Sequence, residues 1–167
     1  MNDSGDGREL TSWAAFAAAE PDLAHRTEER FLRFRHHVLA TLRADGSPRT
    51  TGLEVRFLHG ELWLGMMPGS AKALDLRRDS RFALQTNPGP GTEMDGGDVR
   101  ISGRAVEVTD PEAIARYAGE VRPPDPDEFH LFRAELTEVV RTFVQDETYL
   151  VLEIWKPGEP VRTVRRT

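Results

Sequence analysis

The 167 residues include only two lysines, Lys72 and Lys156, against 20 arginines. Lys72 stands two residues after a serine, in Gly69-Ser70-Ala71-Lys72, where a short helix is predicted to begin. A hydroxyl and an ammonium at a helix start, beside free backbone N–H groups, are what a phosphate needs. The same two residues serve equally as a capping serine and a solvated lysine. Arg49, Thr50 and Thr51 open a predicted strand, and their guanidinium and hydroxyls suit either an anionic ligand or an ordinary polar strand face. Arg77 and Arg78 follow on the helix of Lys72, a pattern more often seen on a solvated face. Met66 and Met67 end another predicted strand, where packing is the plainer role.

Other chemistries are excluded or disfavoured. With no cysteine there is no disulfide, thiolate metal site or cysteine nucleophile. The five histidines are His25, His36, His37, His59 and His130, and none has metal-ligand spacing. His36 and His37 are adjacent, so on a strand they point to opposite faces. Haem ligation needs only one histidine, so haem stays open but disfavoured. There is no Ser-His-Asp order, carboxylate pair, phosphate-binding glycine loop or dinucleotide fingerprint. Hydrophobic residues make up 38% of the chain and charged residues 30%, a globular balance. A net charge of −6 argues against nucleic acid as a partner. No apolar run approaches a membrane span, and residues 1–9 lack a signal core, so no membrane association and a cytoplasmic location are expected.

The elements that must position these residues are mostly strands. Residues 1–8 read as a frayed tail. Thr11 or Ser12 can cap a helix through Ala19, and a second helix starts after Pro21. Strands follow at 37–43, 49–57 and 61–66, with Asp45-Gly46 and His59-Gly60 as turns; together they read as a three-stranded meander. The helix at 69–79 comes next, with Ala73, Leu76 and Leu74 facing inward. A strand at 81–86, a Gly/Pro-rich loop at 87–98 and a long strand at 99–109 follow. Asp110-Pro111-Glu112 starts another helix, reaching about Val121. A short helix is predicted at 128–132, then strands at 136–144 and 149–155, and an Arg-rich tail. The fold class is mainly β (α+β): six or seven antiparallel strands closing into a split barrel with a few short helices, since closure removes exposed edges. Residues 1–30 read as an N-terminal helical arm and 31–167 as one barrel domain. Trp13, Trp63 and Trp155 are expected in the core or an interface, with Trp155 a candidate to stack near a ligand.

Leu39-Ala40-Thr41-Leu42-Arg43-Ala44-Asp45-Gly46-Ser47-Pro48-Arg49 resembles the first hairpin of the pyridoxamine 5'-phosphate oxidase-like split-barrel superfamily. Ser70-Ala71-Lys72-Ala73-Leu74-Asp75-Leu76 resembles its Ser-x-Lys-x-x-Asn/Asp-Leu helix. Val99-Arg100-Ile101-Ser102-Gly103-Arg104-Ala105 is similar to a later strand of the family. The resemblance spans residues 31–156 and has the look of actinobacterial branches. It implies a homodimer with two symmetric cofactor sites shared between subunits. The implied cofactor is FMN, with the deazaflavin coenzyme F-420 as the alternative and haem in a few members. The implied activity is an oxidoreductase passing hydride between cofactor and a small-molecule organic substrate; the alternative is a non-catalytic flavin- or haem-binding module. The loop 87–98 would border the substrate pocket. Cofactor-binding roles follow for Arg49, Thr50 and Thr51 along ring and phosphate, Met66 at the ring, and Ser70 and Lys72 at the phosphate. Arg77 would meet the acidic tail of F-420. The true oxidase ends in Arg-Leu-x-Pro, whereas this chain ends Val164-Arg165-Arg166-Thr167, so pyridoxamine phosphate is not the expected substrate.

Overall fold

Alternating apolar and polar residues build most of this chain into strand. The structure, a computed structural model, describes residues 9–91 and 94–167; the expected tail at 1–8, and Thr92 and Glu93 of the loop, lie outside the described residues. The order is α1 (Trp13–Ala19), α2 (Pro21–Arg33), β1 (His37–Leu42), β2 (Pro48–Leu53), β3 (Val55–Leu58), β4 (Glu61–Met66), α3 (Ala71–Arg78) and β5 (Arg81–Gln85). A one-turn helix (Met94–Gly96) precedes β6 (Asp98–Glu107), α4 (Pro111–Val121), β7 (His130–Gln145), β8 (Tyr149–Trp155) and β9 (Arg162–Arg166).

The sheet path runs β2-β1-β5-β6-β7-β4-β3. Its two ends, β2 and β3, are consecutive in the chain and separated only by Glu54. The path therefore starts and finishes on one stretch of backbone, and each pair along it is antiparallel: this is the mainly-β split barrel expected. The expected meander is divided by the same break. Residues 49–57 are not one strand, because β2 pairs with β1 while β3 turns away to pair with β4.

Among the described residues there are nine strands rather than six or seven. One addition is the break at Glu54, and another is β9, formed by the Arg-rich tail pairing with β8. The predicted helix at 128–132 does not form. His130 instead opens β7, which is held on one side by β4 and on the other by β6. Two flanking ladders outweigh the local preference of five residues.

The barrel interior is filled by Leu39, Leu62, Leu64, Leu84, Ile101, Phe132 and Leu136, all fully buried. Each such side chain contributes about 1.5–3 kcal/mol of burial. Helix α1 is capped by the Ser12 hydroxyl, which accepts from Ala15 N–H. It adds Trp13 and Phe16 to the same core, against Phe57 at 4.6 Å and Trp155 at 4.5 Å respectively. Trp155 thus packs on Phe16. Pro21 is the first residue of α2, whose buried face is Leu23, Ala24, Thr27, Arg30 and Phe31. Among the described residues, no helix is long and apolar enough to cross a membrane.

Candidate functional site

Helix α3 follows a turn in which Gly69 takes φ +64°, and Ser70 then holds the extended geometry of an N-cap. The helix lies against β1 and β2 through Ala73, Asp75 and Leu76, whereas Leu74, expected inward, is 48% exposed. A carboxylate on the buried side of a helix needs partners. Asp75 has three: Thr41 Oγ1 and Arg49 Nε donate to its Oδ2 at 2.8 and 2.7 Å, and Arg78 Nη2 donates to its Oδ1 at 2.9 Å. Burial alone would push the Asp75 carboxyl up, but the bonds from Arg49, Arg78 and Thr41 win and hold it below its ordinary value.

One turn earlier on α3, Lys72 Nζ donates to the Gly52 carbonyl of β2 at 2.6 Å. Burial pushes the Lys72 ammonium below the usual lysine range. That single acceptor uses one of its three N–H groups. Beside it, the hydroxyls of Ser70 and Thr51 are both shielded from solvent and have no hydrogen-bond partner. Ser70 makes no side-chain cap bond either. A cleft of about 430 Å³ between the β1–β2 turn and α3 is lined by Arg43, Asp45, Arg49, Asp75 and Arg78 among others, with Thr51, Ser70 and Lys72 outside its lining.

Arg49 and Lys72 tie β2 to α3 through Asp75 and the Gly52 carbonyl, with Thr51 next to Gly52 on β2 and Ser70 at the α3 N-cap. The structure sets the other candidates elsewhere. Thr50 is exposed on the opposite face of β2 from Arg49 and Thr51. Met66 is buried in the barrel core, while Met67 is 75% exposed. Arg77 turns to β6, where its Nε and Nη2 grip Glu107 at 2.9 and 2.6 Å. Asp75, Thr41, Glu107 and His130 complete the polar framework. Sequence reading gave none of them a role, although Asp75 follows Lys72 by three residues and so shares its helix face.

A second cleft, about 510 Å³, lies between α2 and Gly96-Gly97. Its Arg141 is committed to Glu153 and to the Gly96 carbonyl. At the β2–α3 junction Lys72 and Arg49 are likewise held, by the Gly52 carbonyl and by Asp75, while the Thr51 and Ser70 hydroxyls have no partner. Two hydroxyls, an ammonium and the outer nitrogens of Arg49 fit a phosphate group, whose oxygens accept from all of them.

Comparison with known proteins identifies the family and the fold. The family described as pyridoxamine 5'-phosphate oxidase matches residues 23–149. Among solved structures, PhzG from Burkholderia lata, determined with tetrahydrophenazine-1-carboxylic acid, superimposes with a TM-score of 0.60 at 16% identity, covering 91% of each chain. A pyridoxamine 5'-phosphate oxidase-related, FMN-binding protein from Nostoc punctiforme gives 0.59 at 18% identity, covering 91% of this chain and 97% of that one. The haem storage protein HutZ from Vibrio cholerae gives 0.57 at 16% identity over 74% of this chain and 95% of that one. At these identities the likeness is one of fold. A search of curated proteins found no match.

Proposed function

Because the chain belongs to the pyridoxamine 5'-phosphate oxidase family, we propose that it is a cytoplasmic, homodimeric oxidoreductase that holds FMN by its phosphate at the β2–α3 junction. The observation that carries this reading is the pair of buried, unpartnered hydroxyls, Thr51 Oγ1 and Ser70 Oγ, beside the half-buried Lys72. A buried donor without an acceptor costs about 1–3 kcal/mol, and a phosphate oxygen relieves that cost. Lys72 supplies the neutralising charge. Asp75 fixes Arg49 through Nε and leaves its Nη groups to turn toward the anion. FMN, when bound, supplies hydride and electron transfer at its ring, so the chain itself needs no acid–base pair. Coenzyme F-420 also carries a phosphate, and the same donors serve it. The loop at 87–97 would border the pocket for a small organic substrate.

The test is titration of purified protein with FMN, with F-420 and with haem, read by fluorescence and absorbance. Binding of FMN or F-420 together with turnover of a reductant and an acceptor supports the oxidoreductase. Binding without turnover under any reductant favours a storage or sensing module. Binding of haem alone, or of none of the three, overturns the reading.

A further inference from the structure

The turn that carries Ser70 is fastened from outside its own helix. Residues 67–70 link β4 to α3, and Ser70 N–H donates to the Met67 carbonyl at 3.2 Å. Within this turn Gly69 takes φ +64°. A glycine visits positive and negative φ with similar ease, so its own backbone does not hold that angle. His130 supplies the missing restraint: Gly69 N–H donates to its Nε2 at 3.0 Å. His130 pairs with Met66 in the β4–β7 ladder, which sets the imidazole at the base of the turn.

The other side of the ring faces Arg77 and Glu107. Nδ1 lies 3.1 Å from Arg77 Nη2 and 3.7 Å from Glu107 Oε1. Arg77 is itself held by Glu107 through Nε and Nη2. A backbone amide can only donate, so the Gly69 contact requires Nε2 to accept and the ring proton to lie on Nδ1; Arg77 Nη2, also a donor, then makes no hydrogen bond to Nδ1 and lies against it beside Glu107. Three elements thus converge on one imidazole: α3 through Arg77, β6 through Glu107 and β7 through its own backbone. The ladders of β7 form through main-chain groups and need no imidazole at this position. The side chain's distinctive contribution is the lone pair it offers to Gly69.

We propose that His130 is a positioning residue for the anion-binding junction. Its Nε2 fixes Gly69, and through Gly69 it sets the Ser70 hydroxyl and the first turn of α3, with Lys72, where a phosphate-bearing cofactor needs them. This role rests on reading the β2–α3 junction as the FMN phosphate site. The reach of the side chain makes it testable. In His130→Gln the side-chain carbonyl extends to the place of Nε2 and can accept from Gly69. In His130→Asn it stops near the place of Nδ1, and in His130→Ala no acceptor remains.

The experiment is an FMN titration of wild type and the three variants, paired with hydrogen exchange of the Gly69 amide in the absence of FMN. Loss of this hydrogen bond to the exposed turn corresponds to about a tenfold weaker FMN affinity in His130→Ala and His130→Asn. His130→Gln should stay within about threefold of wild type. Gly69 exchange should speed up in the Ala and Asn variants and return toward wild type in Gln. Equal FMN affinity across all variants, or a Gln variant as weak as Ala, overturns the role of His130 alone. Wild-type protein that binds no FMN overturns the cofactor reading, and this role with it.

Discussion

The two ends of strand β1 each hold a buried polar group, and the chain uses them in opposite ways. At its start, His37 spends both ring nitrogens on main chain: Nε2 donates to the Phe31 carbonyl at 2.9 Å and Nδ1 accepts from Asn87 N–H at 3.2 Å. Burial pushes its pKa below the ordinary value, which keeps the ring neutral. Toward its other end, Thr41 donates to Asp75, a carboxylate gathered with Arg49 and Arg78. The first end joins α2, β1 and the loop after β5 through main-chain groups, with the buried Arg30 donating to the Asn87 carbonyl beside it. The second assembles charge, and the hydroxyls near it lack acceptors. A buried polar group closed on main chain acts as a joint. One that collects cations beside orphaned hydroxyls makes a seat for an anion.

The hardest blow to the second end is Asp75→Ala. Leaving Arg49 and Arg78 without their carboxylate should cost about 3 kcal/mol, the low end for a broken buried pair because Arg78 reaches solvent. A thermal melt should show Tm down by about 10 °C, and FMN titration an affinity at least ~10-fold weaker. His37→Leu breaks the first end instead. It strands the Phe31 carbonyl and the Asn87 N–H, costing about 2 kcal/mol, yet should leave FMN affinity within about twofold. If both variants lose FMN equally, the distinction between the two ends is wrong.

Acidification separates the ends further. A group whose folded pKa is depressed stabilises above its unfolded pKa, and that stability is lost as pH falls through the folded value. For His37 the loss begins near its ordinary 6.5, and for Asp75 near its ordinary 3.8. The Tm gap between wild type and His37→Leu should therefore shrink between pH 7 and 5, while the gap to Asp75→Asn persists to about pH 4. Melts across this range that show both gaps shrinking together would contradict the assignment.

Lys72→Ala should weaken FMN at least ~10-fold and change stability by under about 1 kcal/mol, since apart from one exposed hydrogen bond to the Gly52 carbonyl it removes a ligand contact. The smallest effect belongs to Thr51→Val, which deletes a buried hydroxyl with no protein partner. Its apo Tm should hold or rise slightly, while FMN affinity drops about threefold. A lower apo Tm would show that the hydroxyl serves the fold instead.

Local chemistry explains which features could be read from sequence. The Asp45-Gly46 turn forms, with Gly46 at φ +82°, and the Asp110 carboxylate caps α4 by accepting from Ala113 N–H. Ser70 and Lys72 stood out because lysine is rare here and a helix start favours anions. Features made by distant partners stayed hidden. His130 looked helical because its ladder partner, Met66 in β4, lies far away in the chain. Arg162–Arg166 offers one apolar side chain, Val164, so its strand character comes from β8 and from Arg165 stacking on Tyr149 at 3.8 Å. Asp75 gained its meaning only when β1 and β2 brought Thr41 and Arg49 to it.

The central claim, that the β2–α3 junction holds a cofactor by its phosphate, is tested most directly by comparing FMN with riboflavin, which lacks that phosphate, on wild type and Lys72→Ala. Wild type should prefer FMN by ~100-fold or more, as two or more charge-assisted contacts imply. In Lys72→Ala that preference should fall by about tenfold with riboflavin affinity unchanged. An FMN-to-riboflavin ratio that is the same in both proteins would contradict it.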